Sequence, residues 1–370
     1  MSVGVLGQAG QLLFEVLESP ARAAPWPDSR WDRAIRYARS SRLLGSLAER
    51  FHGDPAWDVL PPRVRALLQG EVYRNAFFER AARHEIACVA RALTGIEVPV
   101  VLLKGAAYLL QGLPHARGRQ IGDVDLMVPR DRLDEVESAL LRSGWQFAKT
   151  SAYDQHYYRA WSHELPSMRV PGHALELDVH HTILPIKGRL RPDAAQLLAA
   201  ARPLGAGPWR CLAPADQILH AAAHLFQDSD GWNKLRDLID LDRLIRHHAA
   251  SEADLATRLV ERSKLHELVR PLWYATQFLW SWFKTPYTKE LSRLLRPGFS
   301  ARPATALGCR LFTLTLPPPD LDGVTTIRQR MARKSMELRA VWLRMPPWLL
   351  SYHAAHKAWR HFVPAVAPMQ

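Results

Sequence analysis

Two aspartates inside an apolar run constrain this chain more than any other feature. From Val98 the sequence reads Val-Pro-Val-Val-Leu-Leu-Lys-Gly-Ala-Ala, and beyond a loop it continues Arg119-Gln-Ile-Gly-Asp-Val-Asp-Leu-Met-Val128. Residues two apart on a strand share a face, so Asp123 and Asp125 lie side by side while Val124 and Leu126 face the other way. Pro129-Arg130-Asp131 ends the strand, as Pro and Asp do between elements. Carboxylates side by side repel unless a cation lies between them. An unpaired buried charge is costly, so acids within an apolar strand need a reason. A hard divalent ion is the simplest one, and Mg2+ takes one or two carboxylates plus the phosphates of a substrate.

A second strand adds to this. Ala174-Leu-Glu-Leu-Asp-Val-His180 alternates strictly, with Leu175, Leu177 and Val179 on one face and Glu176, Asp178 and His180 on the other. The polar side offers a third carboxylate, Asp178 or Glu176, and a histidine that is either a substrate contact or a structural group. Alternation of this kind is also what a solvent-facing edge strand shows. Lys104-Gly105-Ala106 lies where the first apolar run gives way to a short helix. Helix N-termini expose unpaired N–H groups and suit phosphates, and glycine allows close approach to the backbone. Arg117 and Arg119 precede the aspartates; either a planar guanidinium grips a phosphate there, or the loop is merely rich in solvated arginine.

The run Leu-Leu-Lys-Gly-Ala-Ala, the segment Arg119-x-x-Gly122-Asp-Val-Asp-Leu-Met-Val and the downstream Glu176-Leu-Asp-Val-His180 resemble the uncharacterised nucleotidyltransferase family, part of the DNA polymerase beta-like nucleotidyltransferase superfamily. The resemblance covers roughly Leu43 to Leu244. It implies an α+β fold, a small mixed sheet with helices packed on it. It implies Mg2+ (Mn2+ as the alternative ion) held by Asp123, Asp125 and Asp178, and a nucleoside triphosphate as co-substrate. The superfamily's Gly-Ser turn appears here as Lys104-Gly105-Ala106, the family's own variant, which lacks the phosphate-touching hydroxyl. By the same resemblance Gly122 belongs to the nucleotide site, His224 matches a recurring histidine beside it, and the helix from Trp232 lines the nucleotide cleft. That makes Lys234, Arg236 and Asp240 binding candidates. Arg236 and Asp240 are also spaced to pair with each other one helical turn apart.

Composition sets the outer bounds. The chain has 370 residues, 48% of them apolar, and 49 Lys and Arg against 36 Asp and Glu give a net charge of +13. That balance favours acidic partners such as nucleotides, nucleic acid or anionic lipid without choosing among them. The abundance of Arg, Ala and Leu is equally what a GC-rich genome produces. Cys88, Cys211 and Cys309 lie far apart with no C-x-x-C, which fits reduced thiols in a cytoplasmic setting. No signal-type segment opens the sequence, and the apolar stretch Leu272 to Phe283 is too short to cross a bilayer, so a soluble protein is expected.

Three regions follow: residues 1–95, an N-terminal helical region; 96–185, the catalytic core; and 186–370, a C-terminal helical region with a basic tail. The first shows no catalytic constellation and reads as a lid or scaffold. Residues 150–173, polar and ring-rich, read as a strand and a loop near the substrate, although ring-rich segments more often pack a hairpin than stack on bases. His220 and His224 lie one turn apart, but the intervening residues are alanines rather than a zinc-site glutamate. In the tail, eight cations between Ile327 and His361 stand against one acid, Glu337. A solvated cationic face is the commoner meaning; peripheral contact with an anionic membrane or with nucleic acid is the alternative. The expected activity is transfer of a nucleoside monophosphate to an acceptor hydroxyl or phosphate, with pyrophosphate released. The acceptor is a small molecule, a peptide or a carrier; resembling proteins accompany biosynthesis of modified peptides and of surface polysaccharides. A non-catalytic nucleotide-binding role on the same scaffold is the rival.

Overall fold

The computed structural model describes residues 6–148, 151–205, 207–228, 231–295, 303–318 and 325–362. At its centre is a seven-stranded mixed sheet: β1 (Val100–Leu102), β2 (Asp123–Met127), β3 (Gln146–Phe147), β4 (Met168–Arg169), β5 (Glu176–His180), β6 (Arg202–Pro203) and β7 (Trp209–Cys211), in the order β3-β4-β5-β2-β1-β7-β6. Helices dominate the remainder, which makes the α+β class explicit. β1 is an interior strand, antiparallel to β2 and parallel to β7. Its three residues are buried, as the unbroken run Val-Val-Leu requires of a strand covered on both faces.

β2 and β5 run parallel, and Val124, Leu126, Leu177 and Val179 are fully buried. A one-residue slip of either strand would turn its own two apolar side chains out and its acids in, so apolar burial sets the register that brings the polar faces together. The helix Leu133–Arg142 covers the sheet through Leu133, Val136, Ala139 and Leu140, and Gly144, at φ 98°, takes the left-handed turn that leads into β3.

The helix Pro62–Ala92, 31 residues long, begins with proline in its first turn and runs along the molecule. Asn75 ties it to the helix Leu44–Phe51, donating to the Gly45 carbonyl and to the Glu49 carboxylate, each at 3.0 Å. This bond holds the N-terminal helices over the same end of the sheet that carries Asp123. On the other side, the helix Pro214–Ala223 passes through a π-helical turn, His224–Asp228, and the helix Leu235–Ala249 follows.

Residues 152–161 differ from the expected strand and loop: they form a helix, Ala152–Trp161, capped by Ser151 Oγ accepting from the Asp154 N–H at 3.0 Å. Tyr153, Tyr157 and Trp161 recur every fourth residue. Their rings meet Tyr352 and His353 of the last helix, Pro347–Phe362, so the ring-rich composition is a helix–helix seam. The tail's cations are partly absorbed as well. Arg333 and Lys334 pair with Glu337, and Arg339 lies over the Phe312 ring and donates to the Phe226 carbonyl. Among the described residues no helix is long and apolar enough to cross a membrane.

Candidate active site

In the paired strands Asp125 stands directly opposite Asp178, and Asp123 opposite Glu176. Carboxylate oxygens of Asp123, Asp125 and Asp178 lie within 4.8 Å of one another. Glu176, the competing third acid, turns outward and accepts from Ser167 Oγ at 2.9 Å.

Asp125 is 3% exposed and is held from two sides. Lys104 Nζ and His180 Nε2 each approach its Oδ1 at 3.0 Å. Burial alone would raise the Asp125 pKa, but the Lys104 ammonium and the His180 ring outweigh it and hold the carboxyl well below its usual range. Burial, joined by the charge of Asp125, pushes both Asp123 and Asp178 upward. Lys104 is raised against the opposing effect of burial, chiefly by Asp125. His180 is raised likewise, by its bond to Asp125 and the charge of Glu164, although burial opposes it. The other ring nitrogen of His180 faces Glu164 Oε2 at 3.4 Å.

Hard oxygen donors crowded together, two of them reluctant to ionise without a cation, are what a divalent ion needs. Lys104 and His180 both address Oδ1 of Asp125, so neither of these bonds occupies Oδ2. The donor set therefore fits Mg2+.

A cleft of about 710 Å3 opens beside the aspartates. Seven cations line it among the described residues: Arg39, Arg42 and Arg74 from the N-terminal helices and their turn, Lys104 and Arg119 from the sheet side, and Lys234 and Arg236 from the far side. Asp237 gathers three of them, with Arg236 at 3.0 Å, Lys234 at 3.6 Å and Arg42 at 3.9 Å. Despite burial, Arg236 and Lys234 hold its carboxyl far below the usual range. The i,i+4 pairing expected of Arg236 and Asp240 does not form. Asp240 instead accepts from Arg119 Nε at 3.0 Å, a longer-range partner whose fork reaches in from the sheet.

Gly105, expected in the phosphate cradle, stands against the Arg119 side chain. It is buried, and a Cβ there would come within 2.5 Å of Arg119 Nη1. Glycine is needed for the guanidinium to pass. Ala106 is buried in the apolar cluster under the sheet and does not line the cleft. Gly122 and His224 do line it, whereas Arg117 is exposed and lies outside the lining. Sequence reasoning missed Arg39, Arg42, Arg74, Tyr108, Glu164 and Asp237. Arginines on amphipathic helices look like surface residues; the one usable signal was Asp237 flanked by Lys234 and Arg236.

The model of the uncharacterised nucleotidyltransferase family matches residues 27–284. The chain belongs to the uncharacterised nucleotidyltransferase family. No curated protein and no solved structure matches it. The family region contains the whole cleft, from Arg39 to Asp240, together with the three aspartates and His180. The helices Pro303–Thr315, Ile327–Arg344 and Pro347–Phe362 lie beyond it. Membership supports nucleotidyltransferase chemistry as the general activity.

Proposed function

We propose that the protein transfers a nucleoside monophosphate from a nucleoside triphosphate to an acceptor hydroxyl or phosphate in a Mg2+-dependent reaction. The supporting observation is the convergence of Asp123, Asp125 and Asp178 within 4.8 Å at the edge of a cationic cleft. Asp123 and Asp125 would hold the ion that accompanies the triphosphate, and Asp178 would complete a second position; Mn2+ has the same oxygen preference. When bound there, such ions would supply charge neutralisation at the phosphates and a lowered pKa for the attacking hydroxyl.

The chain's own groups do the rest. Arg42, Lys234 and Arg236 hold the β and γ phosphates, and Arg119, fixed by Asp240, orients the α-phosphate side. The acceptor oxygen attacks the α-phosphorus, and its proton passes to the carboxylate of Asp178, the third acid of the cluster. The new P–O bond forms as the bond to the β-phosphate oxygen breaks, and pyrophosphate leaves with that electron pair. His180 keeps Asp125 oriented, and His224, which lines the same cleft, contacts the substrate. A cytoplasmic setting belongs to the same reading.

The acceptor class is a small molecule, a peptide or a carrier with a free hydroxyl or phosphate. A screen of nucleoside triphosphates against such acceptors, read as pyrophosphate release, tests the reading. Release that needs Mg2+ and an acceptor supports it; tight nucleotide binding with no release across the panel favours the non-catalytic rival.

A further inference from the structure

We propose that His84, Cys88 and His173 form a zinc site, separate from the acidic cluster, that clamps the long helix to the start of β5. His84 and Cys88 lie one turn apart on the helix Pro62–Ala92 and share a face. His84 Nε2 is 3.4 Å from Cys88 Sγ, close to the separation of two ligands around one tetrahedral zinc, with Zn–S about 2.3 Å and Zn–N about 2.0 Å. His173 comes from the turn before β5, and its ring centroid is 5.2 Å from that of His84. One donor atom from each of the three residues lies within 4.8 Å of the others.

Two neighbours prepare these donors. The Glu85 carboxylate, 1% exposed, meets His173 Nδ1 at 2.6 Å, and its other oxygen accepts from Trp145 Nε1 at 3.0 Å. A carboxylate anchored on one ring nitrogen fixes the tautomer and leaves Nε2 as the metal donor, the usual outer arrangement of a histidine ligand. Arg91 Nη2 approaches Cys88 Sγ at 3.0 Å and fixes the direction in which the sulfur points. Thiolate and imidazole donors select a borderline-soft ion over Mg2+. The thiolate and the two imidazoles supply three donors, and water would complete a fourth position. His173 lies five residues before Asp178, so an ion here stiffens the strand that presents the third active-site carboxylate. The proposal does not depend on the transfer reaction.

Cobalt substitution tests it directly. The metal-free full chain, held in excess Mg2+ to fill the acidic cluster, is titrated with Co2+. The expected result is one equivalent bound with a thiolate-to-cobalt charge-transfer band, displaced by Zn2+. The band should vanish in Cys88→Ser, and Co2+ affinity should fall roughly tenfold or more in His84→Ala and in His173→Gln. Folding of each variant is checked by circular dichroism. No charge-transfer band in the wild-type chain, or a band that survives Cys88→Ser, overturns the site whatever the variants' stability.

Discussion

Asp125 and Asp178 stand directly opposite each other on parallel strands, and a single buried register holds them there. Asp178→Asn should lower pyrophosphate release by about 10²–10⁴-fold, the range for loss of a positioned base, with thermal unfolding little changed. Steady-state rates beside a melting curve check this. A rate within a few fold of wild type would remove Asp178 from the chemistry.

Lys104 sits at φ 42° with its ammonium on Asp125, a backbone conformation that a non-glycine residue adopts only under constraint. Lys104→Met leaves the buried carboxylate short of a cation. Metal-free protein should lose on the order of 2 kcal/mol, less than for a fully buried pair because the Lys104 side chain keeps 22% of its exposure. Mg2+ should restore part of the loss. Urea unfolding with and without Mg2+ reads both effects; equal destabilisation in the two conditions would argue against a shared role of ammonium and metal at Asp125.

Gly105 and Arg119 form a steric pair, since a Cβ at Gly105 would lie 2.5 Å from the guanidinium. Gly105→Ala should cost about 1–3 kcal/mol and weaken nucleotide binding, because Arg119 must leave Asp240. In an Arg119→Met background the same change should cost much less. A double-mutant cycle on stability measures the coupling, and additive costs would contradict the pairing.

Acid should destabilise the fold through buried neutral histidines. His115 is 1% exposed, its ring nitrogens have no hydrogen-bond partner among the described residues, and its ring lies 4.8 Å from Tyr108. Burial lowers its pKa from 6.5 to about 4. The unfolded chain therefore takes the proton first. Stability is complete above pH 6.5 and is lost as the pH falls towards 4, by about 3 kcal/mol for His115 at full protonation. His181 and His248, also lowered to about 4 by burial, act in the same direction. Urea midpoints at pH 7 and pH 5 should separate, and His115→Leu should narrow the gap.

The strands were legible because their patterns are local. Alternation in Glu176–His180 and the Asp-x-Asp spacing in β2 are properties of adjacent residues. Pairings between distant segments were not: Asp240 looked like the partner of Arg236 one turn away, while its true partner, Arg119, lies 121 positions earlier. Gly105 was recognised as a glycine open to close approach, but the approach of the Arg119 guanidinium could not be read from local sequence. Arg39, Arg42 and Arg74 carried no local mark at all, since only tertiary packing turns those helices towards the cleft. The rings of Ala152–Trp161 were misread because composition was weighed above their fourfold spacing.

Calorimetric titration of nucleoside triphosphate into the full chain, with Mg2+ and then with excess chelator, tests the central claim most directly. The account predicts binding that requires Mg2+ and that disappears in Asp123→Asn and Asp125→Asn. Binding of equal strength without the ion, or undiminished in both variants, would contradict it.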